Sequence, residues 1–180
     1  MKKYGFILLF ILLISCGSYN SINSFYNLHK NDAKVTAIRV PQYLLSLLRN
    51  TSGEMNSLMV NVRDIRYIQL SPTSDTERNH ISNQINNLVS NNFVEVFRKN
   101  EDHKRTLISV REKRDVVKEI IIYNNGQRTN SVFYLNGNFN PQRVRTYVNE
   151  GKFDNLSNTI FQEMNLIPPN FEKESPEKKE

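Results

Sequence analysis

Apolar positions change period several times along the chain, and each change marks an element. Residues 6–14 form an unbroken apolar run, too short to stand as a lasting membrane-spanning helix. After a small polar stretch at 17–23, Ser24 is expected to cap a short helix over 25–30. Residues 34–40 alternate weakly and are β-branched, which predicts a strand. Pro41 suits the first turn of a helix, where its missing N–H costs nothing. That helix is lined by Leu44, Leu45, Leu47 and Leu48 and frays near Gly53. Residues 54–64 fit a short helix or a buried loop equally well. Residues 66–70 read as a second strand, stopped by Ser71, Pro72 and Thr73.

The strongest helical period follows. Ser74 and Glu77 stand at capping-box spacing. Ile81, Ile85, Leu88, Val89, Val96 and Phe97 then recur at helical intervals, which predicts one helix through to Arg98. Three strands are predicted as a meander over 105–112, 116–123 and 129–136. Residues 113–115 turn the first pair and Asn125-Gly126 the second, since Asn-Gly tolerates positive φ. Gly137 is expected to end the third strand. Asn140 and Pro141 open a further helix with Val144, Tyr147 and Val148 on one face. After a break at Gly151, Phe153, Leu156, Ile160 and Met164 continue at helical spacing. Residues 166–180 are charged and proline-bearing, and are expected to be disordered. The expected fold is α+β: a single domain with a mainly antiparallel sheet of about five strands and helices on one face. A ferredoxin-like arrangement is a possible relative, from which the closing meander departs.

The first residues carry the clearest chemistry. Lys2 and Lys3 precede the apolar run, which ends in Leu13, Ile14, Ser15 and Cys16. This looks like a lipobox: Leu13, Ile14 and Ser15 would be read by a signal peptidase, and the Cys16 thiol would accept a diacylglyceryl group. Each buried methylene contributes about 0.8 kcal/mol, so two or three acyl chains anchor a protein stably where one does not. An ordinary signal peptide cut elsewhere and an uncleaved anchor are the competing readings. The implied organisation is a signal peptide at 1–15, a lipidated tether at 16–23, a globular domain at 24–165 and a tail at 166–180.

Composition narrows the chemistry further. Cys16 is the only cysteine, so no disulfide, cysteine metal cluster or second thiol is available. The net charge of +6 falls to +4 without Lys2 and Lys3, too mild to argue for nucleic acid. His29, His80 and His103 lie in separate segments without metal-ligand spacing. No nucleophile elbow or glycine-rich phosphate loop is present. The sequence therefore names no catalytic residue, no metal and no cofactor. What remains is a possible interaction surface. Lys104, Arg105 and Arg111 head a basic cluster with Lys99, Lys113 and Arg114, diluted by Glu101, Asp102, Glu112 and Asp115. Phe133 and Tyr134 face opposite sides of a strand, so one of them is expected away from the helices.

The order of these landmarks resembles a known family. A lipobox is followed by a short helix, then a strand running into a leucine-rich helix at 35–48. A second strand and a long amphipathic helix come next. The meander ends in an apolar-Asn-Gly-x-Phe turn, Leu135 to Phe139, before a last helix. The pattern over 24–148 is similar to the Bacteroidota lipoproteins grouped as DUF4252. The resemblance implies an exported lipoprotein with an α+β domain and transfers no catalytic role to any residue. In such lipoproteins an acidic cluster after the lipidated cysteine tends to mark surface export. The tether at 17–23 has none, which implies an outer-membrane protein facing the periplasm. The expected function is a non-enzymatic binding or assembly module that contacts the membrane through Cys16 and another envelope protein through the open sheet face. The alternative is a small-ligand carrier or enzyme acting on an envelope molecule in a cleft between the long helix and the sheet.

Overall fold

The computed structural model describes residues 21–49, 56–90, 92–102, 104–153 and 156. Leu13, Ile14, Ser15, Cys16, Ile160, Met164 and the charged tail lie outside them. The elements are α1 Ile22–His29, β1 Val35–Arg39, α2 Gln42–Leu48, α3 Asn56–Met59, β2 Val62–Leu70 and α4 Asp75–Ser90. There follow β3 Val94–Glu101, β4 Lys104–Glu112, β5 Val117–Gly126, β6 Asn130–Phe139 and α5 Pro141–Asn149. All neighbouring strands are antiparallel, in the order β1-β2-β6-β5-β4-β3. The α+β class stands, with six strands rather than five.

The sixth strand corrects the long helix. α4 stops at Ser90, and Val94, Val96 and Phe97 belong to β3 at the sheet edge. Leu88, Val89, Val96 and Phe97 fit a helical period, but Asn91-Asn92 interrupts it and the β-branched Val-Glu-Val segment favours the extended backbone that β4 pairs with. The start of α4 is as expected. The Glu77 N–H donates to Ser74 Oγ at 3.2 Å. The Glu77 carboxylate reaches back to the Thr73 N–H at 2.8 Å and hydroxyl at 3.0 Å, and the backbone bond chiefly holds that carboxyl below its ordinary pKa. The first helix is capped by Ser21, not Ser24. Asn140 caps α5 through the Arg143 N–H at 3.1 Å.

The helices cover both faces of the sheet, not one. On one face Leu45 of α2, Leu58 and Met59 of α3, and Val144, Tyr147 and Val148 of α5 pack on Ile65, Ile108, Ile120, Ile122, Phe133 and Leu135. On the other, Ile22 and Phe25 of α1 and Ile81, Ile85 and Leu88 of α4 pack on Ile68, Leu107, Ile121, Tyr123, Val132 and Tyr134. The consecutive Ile120, Ile121 and Ile122 explain this. Neighbours in a strand point to opposite faces, so an unbroken apolar run buries both.

The first meander turn lies where it is expected, and the second does not. At the first, Arg114 and Asp115 have φ of 53° and 57°, between the paired Lys113 and Val116. This is a two-residue loop with both central residues left-handed. At the second, Asn125-Gly126 belongs to β5, and Gln127-Arg128 turn the chain while the Gly126 N–H donates to Thr129 at 2.9 Å. Gly137 does not end β6, which continues to Phe139. The exposed Arg114 and Asp115 hold a conformation that suits Asn and Gly better. Arg114→Asn with Asp115→Gly is expected to stabilise the protein by about 1 kcal/mol, read as a higher urea midpoint with an unchanged slope.

Candidate functional site

Two polar rows cross the α1/α4 face of the sheet, one at each end. The register builds the first row. Asp64, Asn136, Glu119 and Arg111 stand opposite one another in turn across β2, β6, β5 and β4. Arg39 stands opposite Arg66, and Arg66 opposite Tyr134. Arg39 Nε donates to Asp64 Oδ1 at 3.0 Å. Arg66 donates to Asp64 Oδ2 through Nε and Nη2, both at 2.7 Å, and through Nη1 to Asn23 at the start of α1. The Arg66 guanidinium lies between the rings of Tyr26 and Tyr134, at 5.6 and 5.9 Å. Arg111 closes the row with a bidentate pair to Glu119.

This row is charge-paired and nearly saturated. Only 9% of the Arg66 side chain is exposed, with 15% of Asp64 and 13% of Glu119. Burial, and then the Glu119 carboxylate beside it, push the Tyr134 hydroxyl well above its ordinary pKa, so it stays protonated at neutral pH. Such an arrangement fixes the sheet end; breaking one buried partner costs about 3–5 kcal/mol in comparable pairs.

The second row lies at the opposite end. Leu70, Asn130, Asn125 and Arg105 are in register across β2, β6, β5 and β4. α4 passes over them. Asn125 Nδ2 donates to Ser82 Oγ at 3.2 Å, and Ser82 shares a hydrogen bond with the Tyr123 hydroxyl at 3.0 Å. One turn earlier on α4, Arg78 donates to Asp75 Oδ1 at 2.8 Å and to the Gln127 carbonyl. Burial raises the Tyr123 hydroxyl pKa, offset in part by Ser82.

Residues 26–147, which contain both rows apart from Asn23, match the family described as a domain of unknown function, DUF4252. The chain belongs to the DUF4252 family. No curated protein and no solved structure matches it.

The DUF4252 domain separates the residues singled out from sequence. Arg111 and Tyr134 meet through Glu119 in the first row. Lys104 and Arg105 lie at the other end, Lys104 exposed and opposite Glu101 on the β3 edge. Phe133 points to the other face, with its ring 6.4 Å from Tyr67. The expectation of an exposed aromatic face is corrected: Phe133 is 2% and Tyr134 4% exposed. Tyr123 and Phe139 are buried as well, because each sheet face has its own helices.

Sequence reasoning missed one buried pair in this DUF4252 chain. His29 Nδ1 lies 2.8 Å from Asp32 Oδ2 and Nε2 lies 3.1 Å from Gln84 Oε1. It clips α1 to α4, and the only hint was the His-x-x-Asp spacing. Both ring nitrogens are engaged, so the imidazole has no free edge for a ligand. Among the described residues no three His, Cys, Asp or Glu groups gather to hold a metal ion.

Proposed function

We propose that this DUF4252 chain is an exported envelope lipoprotein of the Bacteroidota type, anchored through Cys16 in the outer membrane and facing the periplasm. It works as a non-enzymatic binding module, and its partner is an extended segment of another envelope protein that pairs with β3. The Lys2-Lys3 start, the apolar run and the Leu13-Ile14-Ser15-Cys16 ending support the anchor. Among the described residues no helix is long and apolar enough to cross a membrane. Cys16 and the α1 cap Ser21 are five residues apart, a reach of about 17 Å when extended. A lipid on Cys16 therefore holds the α1 end of the sheet, with its row of paired charges, against the membrane surface.

One observation carries the binding reading. β3 is an eight-residue edge strand exposed along nearly its whole length, with Val94 at 64% and Val96 at 42%. An edge of this length offers unpaired backbone groups to a further strand. The opposite edge, β1, has five residues and is mostly half-buried. The seam between α4 and the sheet is filled by Ile81, Ile85, Leu88, Leu107, Ile121 and Tyr123.

The test is a crosslinking pull-down from intact cells with the tagged full chain, beside Cys16→Ala and Val96→Pro variants. One envelope protein is expected with the unaltered chain, and recovery is expected to fall about tenfold with Val96→Pro, which alters the edge strand at the residue its register with β4 skips. A thermal melt confirms that this variant folds. Equal recovery with a folded Val96→Pro chain overturns the β3 reading, and equal recovery with Cys16→Ala removes the anchor from it.

A further inference from the structure

The row at the far end from the α1 start holds a second kind of chemistry. Asn130 is 0% exposed, yet neither its amide nitrogen nor its amide oxygen has a partner. Arg78 Nε and Arg105 Nε are also buried without a partner. Topology gathers these groups. Asn130 and Arg105 flank Asn125 across three adjacent strands, which lie about 4.8 Å apart. Asn125 is tied to Ser82, and Arg78 stands one turn before Ser82 while gripping the β5–β6 turn at Gln127. Two guanidiniums and one primary amide therefore belong to the same end of this sheet face, by the first turns of α4.

Buried donors are almost always paired, and three at one spot define what would pair them. The charge balance points the same way. Arg78 and Arg105 bring two positive charges, and Arg128 lies exposed in the adjoining turn. Three acids at this end are turned to other groups, while Asp102 stands exposed in the β3–β4 turn. Asp75 holds Arg78, Glu77 turns back to Thr73, and Glu101 stands opposite Lys104. The sixteen-residue α4 begins here, and its N-terminus adds partial positive charge.

We infer that this end of the α4/sheet seam binds a phosphate group, free or as a monoester. Arg78, Arg105 and Asn130 Nδ2 donate to its oxygens. Asn130 Oδ1, the unpartnered acceptor in this row, takes the hydroxyl proton of monohydrogen phosphate or of a monoester in its singly charged form, a proton that a carboxylate lacks. Arg78 keeps 31% of its side chain exposed and forms the entrance. The site lies at the end of the sheet away from the start of α1.

The test uses the full chain in detergent. Inorganic phosphate, glycerol phosphate and acetate are titrated at constant ionic strength and followed by phosphorus NMR line width and by thermal melting. Saturable broadening with phosphate is expected, with a melting temperature that acetate does not raise. Arg105→Gln and Arg78→Gln are each expected to weaken binding about tenfold or more, as the loss of a charge-assisted bond does. Lys113→Gln, at the opposite end, is expected to bind as the unaltered chain does. Stronger binding of glycerol phosphate supports a monoester, and stronger binding of inorganic phosphate the free ion. No saturable broadening, an equal response to acetate, or unchanged binding in both folded arginine variants overturns the assignment.

Discussion

Gly137→Ala is expected to destabilise the protein by about 3 kcal/mol, near the upper end for overpacking a close contact. The cause is not backbone conformation. Gly137 stands opposite Val62 in the β2–β6 pairing, where β6 passes close against the turn after α3. The next residue, Asn138, donates its N–H to the Asn61 carbonyl at 3.1 Å and pins the approach. A Cβ at 137 would strike the Asn61 carbonyl group, and would lie 2.8 Å from Cζ of the Phe139 ring. Neither neighbour moves cheaply: one is backbone, and the ring is 2% exposed in the core. Urea unfolding of Gly137→Ala should show a lower midpoint at an unchanged slope. A loss below about 0.5 kcal/mol, the scale of ordinary surface changes, would mean the strand and the turn separate freely.

Ile120→Ala and Ile121→Ala are each expected to cost about 3 kcal/mol, within the range for truncating a buried isoleucine. They are adjacent in β5, and their side chains are 0% and 1% exposed. Ile120 packs with the α2, α3 and α5 layer, and Ile121 with the α1 and α4 layer. A sheet covered on one side would give one large loss and one small one. Comparable losses follow only if both faces are closed by helices. Val94→Ala, on the exposed β3 edge, is expected within about 0.5 kcal/mol of zero and serves as the reference. Midpoints of chemical unfolding for the three variants decide the matter.

Local rules read much of this fold. Asn140 with Pro141, Ser74 with Glu77, and the strands around 35–39 and 105–112 follow from caps and alternation, and all are present. One error came from a signal that local rules leave tied, and one from a signal that was not followed. Val96 and Phe97 fit a helical period as well as a strand, and only pairing with β4 decides. The Ile120-Ile121-Ile122 run and Phe133-Tyr134-Leu135 did signal two buried faces, against the one-sided arrangement expected. The candidate site was less legible. Arg111 and Glu119 flank one hairpin, so their pairing follows once the turn at 114–115 is placed. The placing of the Arg66 guanidinium by the Tyr134 ring depends on β6 lying beside β2. Nothing in the local sequence of either strand specifies that neighbour.

That neighbour sets the order in which the chain can assemble. β3 to β6 form an unbroken meander whose successive pairings close over short turns, the fastest kind of contact to make. β2 meets β6 at the closest between Leu70 and Asn130, 60 residues apart along the chain. Until β6 exists, β2 has only β1 for a neighbour, and a lone two-stranded hairpin is marginal in water. The meander is thus expected to form first, with α1, β1 and β2 docking onto it. During synthesis the end of the chain that emerges first is therefore the end that folds last.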